Sequence, residues 1–129
     1  MFFDQVKNAL LEDDPLTKAK SVDQLHADLS TPVDLSMHQS IDMIEIPGRP
    51  AQPELVHPSK VARRKLTTEQ GRVALVHAIC HIEFNAINLA LDAVYRFQDM
   101  PHEYYVDWIK VAAEEAKHFL LLRNRLLQL

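Results

Sequence analysis

Glu83, Glu115 and His118 are the residues of this 129-residue chain best suited to chemistry. Glu115 and His118 stand one helical turn apart in Glu115-Ala116-Lys117-His118. On a helix that spacing puts a carboxylate and an imidazole on one face. Each of the three interrupts an apolar stripe. Val76, Ile79, Ile87, Ala90 and Val94 recur at helical spacing with Glu83 in their midst. Trp108, Val111, Ala112, Phe119, Leu122 and Leu126 do the same further on, with Glu115 and His118 among them. Neither stripe contains Lys or Arg. A carboxylate buried without a partner is costly, and a bound cation is the simplest compensation. Carboxylate with imidazole suits iron, manganese or zinc, and Glu-x-x-His on a helix is a di-metal carboxylate pattern. The metal-free reading is a buried ion pair between Glu83 and His118. Stripe, register and motif together favour the metal.

Two helices must bring these residues together. Asp99 lies midway between Glu83 and Glu115. At about 1.5 Å per residue, both glutamates stand roughly 24 Å from a turn there, so an antiparallel pair makes them level. Glu114 belongs to the opposite side of its helix, with Glu103, Asp107, Lys110, Lys117 and Asn124, and is expected to face solvent. His77, His81, Asn85, Asn88 and Asp92 form a second, polar row on the earlier helix. His81 is a candidate partner that orients a ligand, whereas His77 reads as solvated. Cys80 reads as a small core residue.

The supporting elements can be placed. Thr67-Thr68-Glu69-Gln70 fits a capping box with its hydroxyl at Thr67 and its amide side chain at Gln70. Helical periodicity then runs to about Phe97. Gln98-Asp99-Met100-Pro101 connects to a second helix from about His102 to the end, with Pro101 suited to open it. Residues 1–29 read as two short helices parted at Asp13-Asp14-Pro15, the second with Leu16, Ala19, Val22, Leu25 and Leu29 as its apolar side. Residues 30–66 hold five of the seven prolines, so regular structure is not expected to run far there. Leu35, Met43, Ile44, Ile46, Leu55 and Val56 give this stretch apolar anchors, which favours an arm wrapped on the protein over a linker. The chain thus divides into short helices and a Pro-rich arm over 1–66, and a helical hairpin over 67–129.

Composition agrees with an all-α chain. It is 47% hydrophobic and 25% charged, with only two glycines to serve turns. The net charge of −4 gives no reason to expect nucleic-acid binding. Arg49, Lys60, Arg63, Arg64 and Lys65 make a local basic patch that reads as a solvated segment before a helix. A single cysteine forbids an intrachain disulfide and fits a reducing compartment. No uninterrupted apolar run approaches the roughly 20 residues of a membrane span, and the N-terminus lacks a secretory pattern. A cytoplasmic protein without a membrane partner is expected.

The motifs resemble a known family. Pro47-Gly48-Arg49-Pro50, Ala62-Arg63-Arg64-Lys65-Leu66, Gly71-Arg72-Val73-Ala74-Leu75, His81-Ile82-Glu83, Asp107-Trp108 and Ala113-Glu114-Glu115-Ala116-Lys117-His118-Phe119 are similar to the bacterial "domain of unknown function 455" family. That family belongs to the ferritin-like superfamily and is distantly similar to a tRNA-modifying hydroxylase with a di-iron centre. The resemblance implies the first long antiparallel helix pair of a four-helix bundle. It implies a di-metal centre of iron, or else manganese or zinc, with Glu83, Glu115 and His118 as ligands and His81 beside them. It names no catalytic residue and no substrate, leaving tRNA open. Members continue into a second helix pair with another Glu and another Glu-x-x-His. A missing C-terminal pair, or a second copy of the chain, is therefore expected to complete the bundle. The broad apolar girth of Phe119, Leu120, Leu121, Leu122, Leu126, Leu127 and Leu129 also asks for neighbours. The expected function is a di-iron oxidoreductase or hydroxylase once complete. The alternative is a non-enzymatic metal-storage or helical dimerisation module.

Overall fold

The structure is a computed structural model and describes residues 2–30, 44, 47, 48 and 68–128. These form four α-helices and, among the described residues, no strand: α1 (Phe2–Leu11), α2 (Pro15–Asp28), α3 (Glu69–Arg96) and α4 (His102–Gln128). The all-α expectation therefore holds. The expected arm at 30–66 lies outside the described residues except for Ser30, Ile44, Pro47 and Gly48; its anchors Leu35, Met43, Ile46, Leu55 and Val56 lie outside them too.

Local chemistry explains each boundary. Phe2, Phe3, Val6, Ala9 and Leu10 recur at helical spacing and are all buried, which fixes the inner face of α1. Asp14 ends the connection and caps α2, with Pro15 next to it. Its carboxylate accepts the Thr17 backbone N–H at 2.9 Å and the Thr17 hydroxyl at 2.7 Å. α3 starts one residue later than the expected capping box. Thr68, not Thr67, is the cap, and its hydroxyl accepts the Gly71 N–H at 3.0 Å. The position that must answer it is then Gly71, which has no side chain, so Gln70 does not complete a box. Tyr105 clamps the α3–α4 turn, since its hydroxyl donates to the Phe97 carbonyl at 2.6 Å and accepts the Met100 N–H at 3.1 Å.

α3 and α4 form the antiparallel hairpin; α1 packs on α3, and α2 on α4. Phe2, Phe3 and Tyr105 meet edge to face, with Phe3 and Tyr105 centroids 5.4 Å apart. This packing turns the core away from the expected stripes. α4 buries Tyr105, Ile109, Ala112, Ala113, Ala116 and Phe119, whereas Trp108 and Val111 are exposed. On α3, Ile87, Ala90 and Val94 are buried as expected, but Val76 and Ile79 are only half-buried. Cys80, Phe84, Leu91 and Tyr95 complete the inner face. The physical reason is that two short helices cover one side of the hairpin, and the buried face follows them.

The opposite side of α3 is apolar and open. Leu75, Ile82 and Leu89 repeat every seven residues, and Ile82 and Leu89 are 64% and 70% exposed. By length and composition α3 is apolar enough to cross a membrane, although only 28% of that stretch is buried here. The expectation of no such span rested on uninterrupted runs, and α3 reaches the same composition with Glu83 inside it.

A buried lysine joins three helices. Lys18 of α2 is fully covered, while Leu16, expected on the inner side, is exposed. The Lys18 ammonium donates to the Leu10 carbonyl at 3.2 Å, and more closely to the Gly48 carbonyl and to Asn88 Oδ1. It also lies 4.9 Å from the centroid of the Phe84 ring. Burial pushes its pKa down from 10.5 to about 8, against the pull of Asp13 and Glu12. It remains an ammonium at neutral pH, with three N–H groups for three oxygens.

Candidate metal centre

Glu83 comes from the middle of α3, and Glu115 and His118 come from one turn of α4. The antiparallel register brings them together. His118 Nδ1 lies 4.0 Å from Glu83 Oε2 and 3.9 Å from Glu115 Oε2. One donor atom from each of the three falls within 4.8 Å of the others. Glu114 is exposed and outside the group.

These distances discriminate between two arrangements. A nitrogen–oxygen hydrogen bond needs about 2.7–3.2 Å, so neither carboxylate hydrogen-bonds the imidazole at this spacing. Two donors on one metal, each about 2.0–2.2 Å from it, lie at most about 4.4 Å apart. Separations of 3.9 and 4.0 Å fall within that reach. The widest needs only a small side-chain closure. Two carboxylates and one imidazole are also a donor set that iron, manganese and zinc accept. The residues present therefore fit a metal ion.

The surroundings are asymmetric. Next to the group in sequence, Phe84 follows Glu83 and Phe119 follows His118; both are buried and their rings pack with centroids 5.2 Å apart. Above it the surface is open: the His118 side chain is 55% exposed, against 21% and 25% for Glu83 and Glu115. That corrects the expectation of His118 inside a closed stripe.

His81 is not part of the group. Its ring lies 4.6 Å from that of His77, and its Nε2 is buried without a hydrogen-bond partner among the described residues. Burial, then His77, push its pKa down, so it is neutral near pH 7. Cys80 is buried, and burial pushes its thiol pKa up. It is a core residue and a poor nucleophile.

Sequence reasoning missed Lys18 and Asn88 as partners. Asn88 belongs by spacing to the polar row of α3, yet it is buried and donates to the Gly48 carbonyl at 3.3 Å. The available signal is Lys18 itself, which stands one turn before Val22 and two before Leu25 on the inner face of α2.

Comparisons with known proteins follow the same residues. An uncharacterized protein of Haemophilus influenzae (strain ATCC 51907 / DSM 11121 / KW20 / Rd) is 38% identical over 136 residues. The match covers 97% of this chain and 47% of that protein, so the chain spans about half the length of its curated relative. No solved structure matches. Residues 11–129 match the family described as "Protein of unknown function (DUF455)". A match over nearly the whole chain, including every residue of the carboxylate–imidazole group, makes the chain a member of the DUF455 family.

Proposed function

We propose that Glu83, Glu115 and His118 bind a transition-metal ion, and that the α3–α4 hairpin is half of a ferritin-like bundle. The observation that carries this reading is the triad: three donors from two helices within 4.8 Å, too far apart for hydrogen bonds and close enough for one cation. Bundles of the di-metal carboxylate type take one Glu from each of two helices and Glu-x-x-His from each of the other two. Glu83 with Glu115 and His118 is half of that set. A second helix pair, from a longer chain or a second copy, would supply the rest. The open apolar stripe of α3 and the greater length of the Haemophilus relative support that completion.

Iron is the metal proposed, with manganese and zinc chemically acceptable. A di-iron pair, when bound, supplies reductive activation of dioxygen, so the completed protein is read as an oxidoreductase or hydroxylase. This chain's own part is to hold: two α4 ligands one turn apart and one α3 ligand opposite. The second reading is a non-enzymatic metal-storage or helical interaction module, favoured by the length of the α3 stripe.

Metal titration tests the first reading. Protein purified without chelators is titrated with Fe(II) anaerobically, and with Mn(II), Zn(II) and Co(II). Saturable binding is expected, weakened at least about tenfold by E115A or H118A and unchanged by E114A. Failure of all four metals to bind the folded chain overturns it. Stoichiometric oxygen uptake without turnover, by a complete protein offered candidate substrates, would favour storage.

A further inference from the structure

We propose that His77 and His81 form a second metal site on α3, which takes a copper(II), nickel(II) or zinc(II) ion through their two imidazoles. Residues four apart on a helix share one face. The structure places these two rings with centroids 4.6 Å apart and planes tilted by 52°. A metal–nitrogen bond of about 2.0–2.1 Å puts a ring centroid roughly 3.2 Å from the ion. Two rings on one ion then stand about 4.5 Å apart at a right angle and about 5.2 Å apart at the tetrahedral angle. The observed spacing falls in that range.

Ring packing alone accounts for the contact but not for the nitrogen. His81 Nε2 is buried and, among the described residues, has no hydrogen-bond partner. A neutral imidazole has one N–H and one lone pair, so either tautomer leaves a polar atom there unanswered. Such atoms are rare in folded proteins because their lost hydration goes uncompensated. A cation on the lone pair supplies the compensation. The pair is also separate from the carboxylate–imidazole group. Glu83 is two positions beyond His81, about 200° around the helix. Cys80 lies between the two histidines in sequence, but its thiol faces the Phe119 carbonyl at 4.0 Å. Among the described residues no His, Cys, Asp or Glu joins them in a group of three. Two neutral nitrogens without a carboxylate select the late first-row ions, and Mn(II) stands lowest in that order. His77 also lines a crevice of about 450 Å³ with Glu69, Gln70, Val73 and Ala74, which leaves room for water to complete the coordination. An ion bridging residues 77 and 81 would staple the least covered part of α3, where only Gly71 is buried before Cys80.

The test uses the full chain carrying E115A and H118A. The carboxylate–imidazole group then contributes nothing, and the two metal readings fail separately. Zn(II) is titrated while imidazole ¹H–¹³C and long-range ¹H–¹⁵N correlations are recorded. At one equivalent the His77 and His81 signals are expected to shift together, with His81 Nε2 moving to the metal-bound position. The exposed His26 and His102 should stay in place. Cu(II) and Ni(II) should displace Zn(II), and Mn(II) should not. H77N and H81N should each weaken Zn(II) binding at least about tenfold. If E115A/H118A does not fold, the same spectra of the wild-type chain read the pair directly, since each histidine reports on itself. Zn(II) that leaves both signals unmoved, shifts only one of them, or moves His26 and His102 equally would overturn the proposal. So would an H77N variant that keeps the parent affinity.

Discussion

At the residue scale, the triad and its neighbours make opposite demands on their surroundings. Glu115 and Glu114 are adjacent in the chain, yet one faces the group and the other faces solvent. The register of α4 makes that choice, so E114A is expected to leave metal titrations unchanged where E115A does not. Cys80 provides a separate check. Its thiol is buried and its pKa raised, so a thiol-specific reagent at pH 7 should modify the native chain only as fast as the chain opens. Rapid stoichiometric labelling of native protein would refute that burial. Phe84 is buried, packing on Phe119 and lying with its ring 4.9 Å from the Lys18 ammonium. Phe84→Ala should cost roughly 3–5 kcal/mol, read by chemical denaturation.

At the scale of elements, capping decides where helices begin. Thr68→Ala removes the acceptor for the Gly71 N–H and should cost about 1 kcal/mol of stability by denaturant titration. Asp14 adds a pH dependence. The Thr17 side-chain and backbone hydrogen bonds hold its carboxyl below the ordinary value of 3.8. Its folded pKa is lower than its unfolded one, so its contribution is complete above the unfolded value and is lost as pH falls through the folded one. Asp14→Asn should therefore flatten the acid limb of the stability curve, and an unchanged limb would remove Asp14 from the account.

Elements also show what was legible in the chain. Both short helices, the hairpin and the convergence of Glu83, Glu115 and His118 followed from period and register alone. The exposed Trp108 and Val111 did not, because a helix with apolar residues on more than one side does not say which side a neighbour takes. Thr67 and Thr68 are equally good caps by type, and only the backbone distinguishes them. Lys18 is not recognisable as buried from its type, because lysine is almost never fully buried. Its three acceptors come from Leu10, Gly48 and Asn88, which periodicity cannot connect.

Across the whole molecule, the helices are covered on one side and open on the other. Ile82 and Leu89 on α3, with Leu121 and Leu127 on α4, are exposed apolar residues of a size that solvent tolerates poorly when contiguous. The isolated 129-residue chain should self-associate in sedimentation experiments. The double variant I82E/L89E should shift it toward monomer without loss of helical circular dichroism. A wild type that stays monomeric at all accessible concentrations would mean that the stripe needs no cover.

The contact between Phe3 and Tyr105 has a consequence for synthesis. A ribosome makes α1 first, but the ring that covers Phe3 is added roughly 100 residues later, about 5 to 20 s at ordinary elongation rates. During that interval Phe2, Phe3 and Val6 have only α2 beside them, since α3 and α4 do not yet exist to receive them. Nascent α1 is thus an adhesive segment by timing rather than by composition. Chains stalled on the ribosome before α4 should retain a chaperone on residues 2–11 that chains extended through α4 release. Equal chaperone occupancy at both lengths would mean that α1 is protected before its partner arrives.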